Sequence, residues 1–221
     1  MAGSIGISPV KLLLSKEHAT EIISIRNDGD QASVMQVEFA AWTQENGQDV
    51  YLPTQDLLAT PPIFTVPAGA SQIVRVGLRH AADSQRELAY RMFLQEVPPP
   101  QKNVAMGLQV ALRISVPVFV APPLPSAPTL HWRASRVDPH TINIEVTNTG
   151  SNHDHLSALT IYRADASQPL ASQQLFVYLL PAQMRSWSFK TDTMPNPGET
   201  LRIVANTDAG AIQAELIMGK P

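Results

Sequence analysis

Cysteine is missing from this chain of 221 residues. Its absence excludes disulfides, thiol catalysis and cysteine-ligated zinc, but it does not fix the compartment, because exported proteins can also lack cysteine. Charge is sparse as well: 16% of residues are charged, the net charge is −3 and the pI lies near 6.0. Without a run of lysine and arginine, nucleic acid is a poor partner and so is an anionic membrane. No segment reaches the ~20 apolar residues that a membrane helix requires, so no membrane insertion is expected. The amino terminus, Met1-Ala2-Gly3-Ser4, has neither the basic nor the apolar region of a leader peptide. Either the protein is cytosolic or its leader was removed. Catalytic signatures are missing too: no serine elbow, no glycine-rich phosphate loop and no HExxH helix. The chain therefore reads as non-enzymatic, with no cofactor.

What is present is β-texture. Hydrophobic residues make up 44% of the chain, enough for proper cores. Nineteen prolines fall mainly between short alternating segments. In the first half these lie near 7–14, 21–25, 34–42, 63–66, 72–78, 88–97 and 104–120, and in the second near 129–137, 141–146, 156–162, 174–180, 185–189, 200–204 and 212–218. Turn chemistry separates them, as in NDGD at 27–30 and NTGS at 148–151. Strands at this spacing predict an all-β chain of two immunoglobulin-like β-sandwich domains. Pro122 to Pro128, PPLPSAP, is the expected proline-rich linker. The expected boundaries are 1–121, 122–128 and 129–221. The segments around Asn27 and Asn148 read as generic strand-end chemistry, with no duplication implied.

One segment is too long for its domain. From Val104 to Val118 every even position is apolar, while Ala105, Gly107, Gln109, Ala111, Arg113 and Ser115 stand between them. Strict alternation marks a strand with one apolar face. At about 3.3 Å per residue the run spans roughly 46 Å, more than twice a typical strand. Either it is a core strand enclosed in its own sandwich, or part of its face projects to complete a partner by strand addition. Length favours the second reading, and so does Pro117, since proline is confined to sheet edges, bulges and strand ends.

Several segments, in order, resemble the PapD-like periplasmic chaperones of bacterial pilus assembly: ISPVKLLL at 7–14, SIRNDGD at 24–30, FAAWTQENG at 39–47, LLATPPIFTVPAGASQIVRVG at 57–77, RELAYRMFLQEVPPP at 86–100 and LQVALRISVPVF at 108–119. The match is specific in the first half and rests on strand texture in the second. Arg91 and Phe93 replace the aromatic and asparagine usual in the family's signature segment, and Pro117 stands where its donor-strand lysine is usual. With SPVKL and YRMFLQEVP, the chain looks more like the archaic branch serving spore-coat-protein-U-type subunits.

The resemblance implies a chaperone that captures pilus subunits, incomplete immunoglobulin-like pilins, and delivers them to an outer-membrane usher. It implies periplasmic localisation and a donor strand of Val104, Met106, Leu108, Val110, Leu112 and Ile114. It further places Lys11 at the first-strand position that anchors the subunit's terminal carboxylate, and matches Glu87 and Arg75 to part of an inter-domain ion cluster. Arg91, set between Tyr90 and Met92 in an apolar strand where an arginine needs a partner or water, is read from the residues themselves as the other anchor, with Arg113, Arg133 or Arg136 as further sources of charge. Self-association through the free edge is left open. A rival reading is a structural pilus or surface-adhesion subunit, which would need a longer amino-terminal extension than the residues before Ile5. Another is a carbohydrate- or peptide-binding sandwich, which the dispersed Trp42, Trp132 and Trp187 disfavour. His153, Asp154 and His155 suggest a metal site only superficially. No third ligand is near, and a polar loop is expected there.

Overall fold

The computed structural model describes residues 5–79, 85–98, 111–124 and 127–219. Among them there is no α-helix; the chain is all-β and forms two immunoglobulin-like sandwiches. It divides into two units, one comprising Met1–Thr43 with Val50–Leu124 and the other Pro125–Pro221 together with Gln44–Asp49.

In the first unit, β1 (Ile5–Ser8), β3 (Thr20–Asn27), β8 (Ser71–Leu78) and β6 (Leu57–Thr60) form one sheet in the order β1-β3-β8-β6. The second sheet has the order β2-β10-β9-β4-β5, from β2 (Leu12–Leu14), β10 (Arg113–Val120), β9 (Leu88–Glu96), β4 (Ser33–Glu45) and β5 (Gln48–Pro53), with β7 (Ile63–Val66) also paired to β4. Alternation along these strands turns Ile23, Ile25, Met35, Val74, Val76, Met92, Leu94, Val116 and Val118 into a shared core with no exposed surface. Period-two patterning can do this because successive side chains point to opposite faces.

The expected first strand, 7–14, is in fact two strands in different sheets. β1 runs antiparallel to β3, whereas β2 runs parallel to β10. Pro9 stands between them and supplies no N–H for continued pairing. Apolar content alone could not show that the chain changes sheet here. β5 was also not among the segments read from the sequence, and its burial pattern explains why: five of its six residues are exposed, so no apolar face advertises it.

The second unit pairs β11 (Leu130–Asp138), β12 (Thr141–Asn148) and β15 (Met184–Lys190) in one sheet. β14 (Pro169–Leu179), β13 (Asp154–Arg163), β16 (Thr200–Thr207) and β17 (Gly210–Ile217) form the other. Its core holds Ile142, Ile144, Val146, Leu156, Leu159, Ile161, Leu201 and Ile203. The polar loop expected at 153–155 is partly strand, since β13 begins at Asp154. The His155 ring lies 4.5 Å from Tyr178, and its Nδ1 lies 2.9 Å from Asp208 Oδ1. Among the described residues, no group of three or more histidine, cysteine, aspartate or glutamate side chains is placed to hold a metal.

Candidate functional site

β10 is the described end of the long alternating run. Val104, Met106, Leu108 and Val110 lie outside the described residues, while Leu112 and Ile114 lie within them. Burial along the even face falls off toward the start of the strand: Val116, Val118 and Val120 are fully buried, and Ile114 and Leu112 only partly. The apolar face therefore continues past the point where its own core covers it.

The two edges of β10 differ. On one side it pairs with β9 throughout, from Arg113↔Gln95 to Val120↔Leu88. On the other it meets β2 only over Val118–Val120. The Glu96 N–H donates to Leu112 O at 2.8 Å, which makes the even positions those that exchange hydrogen bonds with β9. The N–H and C=O groups of Arg113 and Ser115 then face away from β9, toward an edge that no described strand occupies. Pro117 nitrogen faces the same way, so its missing N–H costs no ladder bond. An open edge beside a partly uncovered apolar face has the form that strand addition uses.

The outer face of this sheet gathers the charged and aromatic groups. On β9, Tyr90, Met92 and Leu94 point into the core, so Arg91 and Phe93 point outward. The Arg91 guanidinium carbon lies 3.8 Å from the centroid of the Trp42 ring, which is itself buried and packs against Phe119 at 5.8 Å and Tyr51 at 6.4 Å. A guanidinium stacked on indole keeps its charge with its plane fixed, and the contact contributes about 0.5–2 kcal/mol.

Lys11 precedes β2, in the crossing between the two sheets, and is half-buried. The β2–β10 register starts at Leu12↔Val118; stepping back one residue sets Lys11 opposite Pro117, which pairs with Arg91. Lys11, Pro117 and Arg91 thus fall in one row across the sheet. The two cations of this row were read from the sequence; the row itself was not.

The other residues singled out from the sequence stand elsewhere. Glu87 is buried just before β9, whereas Arg75 is exposed on β8 in the opposite sheet. Arg133 and Arg136 lie on β11 of the second unit, where Arg136 Nε donates to Asp138 O at 3.2 Å. Arg113 lies over Phe93, its guanidinium carbon 4.2 Å from the ring centroid. Tyr51 was missed with its strand, and Trp42 had been read as the tryptophan of the FAAWTQENG segment and as a dispersed aromatic, not as a partner of Arg91. No local signal could assemble that cluster, because its members come from β4, β5 and β10.

Comparison with known proteins sets this geometry in context. A chain of the CsuC–CsuE chaperone–tip adhesion subunit pre-assembly complex, from the archaic chaperone–usher Csu pili of Acinetobacter baumannii, is 17% identical; the match covers 99% of each chain with a TM-score of 0.69. The E. coli chaperone DraB is 19% identical over 97% of each chain, with a TM-score of 0.67. A chain of the Salmonella enterica SafA pilin complex with the SafB chaperone is 14% identical, over 98% of this chain and 97% of that one, also with a TM-score of 0.67. At these identities the likeness is one of fold. No curated protein matches the sequence. The profile of the pili and flagellar-assembly chaperones, PapD N-terminal domain, matches residues 4–125, more than half of the chain. The chain therefore belongs to the family of pili and flagellar-assembly chaperones.

Proposed function

We propose that this chain is a periplasmic, ATP-independent chaperone that captures pilus subunits by lending them the strand that starts near Val104, then delivers them to an outer-membrane usher. The observation that carries the reading is the β10 edge, open from Arg113 up to the Lys11–Pro117 row on the side away from β9. A subunit strand laid along that edge gains main-chain hydrogen bonds from Arg113 and Ser115. The even side chains Met106, Leu108, Val110, Leu112 and Ile114 fill its groove, each contributing about 1.5–3 kcal/mol when fully buried. Association and ordering costs offset part of that gain.

In this reading the subunit's terminal carboxylate lies at the Lys11–Pro117–Arg91 row. A carboxylate leaving water needs paired charge or several donors. Lys11 supplies a compact ammonium, and Arg91 a planar guanidinium already oriented by Trp42. The reaction is exchange of non-covalent partners and needs no catalytic group.

Co-expression with a pilus subunit tests the reading. Replacing Leu108 and Leu112 together by aspartate is expected to lower subunit recovery at least tenfold while the chaperone stays folded. Unchanged recovery removes donor-strand capture. Arg91→Ala with Lys11→Ala is expected to weaken capture separately, and full recovery in that variant removes both residues from the carboxylate site.

A further inference from the structure

A cavity of about 710 Å3 opens on the outer face of the β9–β10 sheet, beyond the Arg91 row. Tyr51, Pro53 and Phe93 wall it, and Glu38, Thr54 and Arg113 stand among its polar groups. The Tyr51 and Phe93 rings meet edge to face at 5.8 Å and 88°. The Arg113 guanidinium lies over Phe93, where it has no carboxylate partner among the described residues. The cavity faces away from the core into which Met92 and Leu94 point.

We propose that this cavity is a specificity pocket that receives an aromatic side chain of the captured pilus subunit, from the residue two places before the subunit's C-terminus. The inference rests on the donor-strand reading above and adds to it a determinant of which subunit is held. Strand spacing carries it. Arg91 and Phe93 are two residues apart on β9, with Pro117 and Ser115 as their partners on β10. A strand laid along β10 repeats its side chains on one face at that same interval, about 6.6–6.8 Å. With its carboxylate at the Arg91 row and its chain running back along β10 toward residue 104, the side chain two places earlier arrives beside Ser115, which also lines the cavity. Arg113 and Ser115 on β10 form the near rim of the cavity, within the diagonal reach of roughly 7–8 Å that aromatic and long side chains have to a directly paired strand.

The walls select an aromatic occupant. A ring entering the cavity can pack against both Tyr51 and Phe93, and aromatic rings gain from offset or edge-on contact beyond the area they bury. Arg113 offers a cation to the face of the incoming ring. The Thr54 hydroxyl, the Glu38 carboxylate and the Arg113 N–H groups can satisfy a phenol or an indole N–H, which an aliphatic side chain would leave unused.

The test uses the full chain co-expressed with a full-length pilus subunit that it captures. Phe93→Ala is expected to weaken capture about tenfold. Alanine at the subunit's third-from-last position is expected to produce the same loss, and combining the two changes should add little more. Thr54→Trp fills the cavity from its rim and should reproduce the loss, so the outcome does not depend on how Phe93→Ala folds. Capture unchanged by both chaperone variants, losses that multiply, or equal capture of a subunit without an aromatic residue at that position overturns the pocket. The paired Leu108→Asp and Leu112→Asp change separates the two claims. If it leaves capture intact, the donor-strand reading has failed; if it abolishes capture while Phe93→Ala and Thr54→Trp do not weaken it, only the pocket has failed.

Discussion

Asn27 and Asn148 occupy corresponding places in the two sandwiches, and both are wholly buried. Each ends a core strand, β3 in the first unit and β12 in the second. Asn27 Nδ2 donates to Gln31 O at 2.7 Å and Val66 O at 3.0 Å, and its Oδ1 accepts the Gly29 N–H at 2.9 Å. Asn148 repeats the pattern: Nδ2 donates to Asn152 O at 2.7 Å and Leu179 O at 3.1 Å, and Oδ1 accepts the Gly150 N–H at 3.0 Å. Even the main chain agrees, with Asn27 N donating to Ala70 O and Asn148 N to Gln183 O. A buried amide that satisfies carbonyls of its own turn and of a distant strand closes the sandwich end without an orphaned polar group.

The two locks are not identical. Asn148 Oδ1 also accepts the Thr129 N–H at 3.2 Å, so it ties down the segment entering the second unit. Asn27 has no such bond among the described residues. The first unit instead leaves a strand edge open and collects Arg91, Trp42, Phe93 and Tyr51 on one outer face. The two units share a structural lock, and only the first carries the candidate site. Stability and recognition are therefore separable in this chain, and substitutions can pull them apart.

The largest effect is expected from Asn148→Ala, which strands four bonded groups in a buried setting and should lower the stability of the second sandwich by about 3–4 kcal/mol. Asn27→Ala, with three bonded groups, should cost the first sandwich about 2–3 kcal/mol. Urea unfolding followed by tryptophan fluorescence, with Trp42 reporting the first unit and Trp132 and Trp187 the second, separates them. Equal losses would remove the contribution assigned to Thr129.

Gly150→Ala comes next. A Cβ there would lie 2.3 Å from Ala127 O and 2.5 Å from Thr129 N, both backbone atoms of the tied segment. Relief requires main-chain movement and should cost about 2–3 kcal/mol. Gly69→Ala in the first unit, at φ +71° with open space around it, should cost only the conformational term of about 1–2 kcal/mol. Thermal unfolding of the two variants checks the order.

The smallest expected effects are those of pH. Burial, then the 3.0 Å hydrogen bond to Asp56, pushes the Tyr90 hydroxyl well above its ordinary range. A raised folded-state value favours the protonated form, so this contribution to the first unit is complete below about pH 10 and is lost as pH rises beyond it. In the second unit the Asn196 N–H holds the Glu199 carboxyl low, helped by its bonds to Arg163. That contribution is present above the ordinary glutamate range, near 4.3, and is lost as pH falls through the depressed value. Unfolding midpoints against pH should therefore show an alkaline loss that Tyr90→Phe removes and an acid loss that Glu199→Gln removes. A Tyr90→Phe variant with the original alkaline profile would exclude that hydroxyl.

Much of this was legible because alternation is a local property. The seven segments read in the second half correspond to β11 through β17, and the apolar even face of β10 is plain from its sequence. The NDG and NTG motifs were also visible, although only as generic turn chemistry, since neither motif reveals that its asparagine will be buried against Val66 or Leu179. β5 left no trace because exposed strands carry no apolar period. The division of residues 7–14 between two sheets was hidden for a different reason: a strand's pattern states which face is buried but not which neighbour it pairs with.

By itself, then, the sequence determined the all-β class, the paired sandwich texture, the unusual length of the alternating run and the residue types available to meet a carboxylate. Tertiary structure alone decided that Lys11 and Arg91 flank Pro117 in one row, that Trp42 and Tyr51 back the site, and that one edge of β10 stays open. The division follows from range. Face and period are fixed by neighbouring residues along the chain, whereas rows, edges and clusters arise from pairings between distant segments, and those are set only when the whole sheet forms.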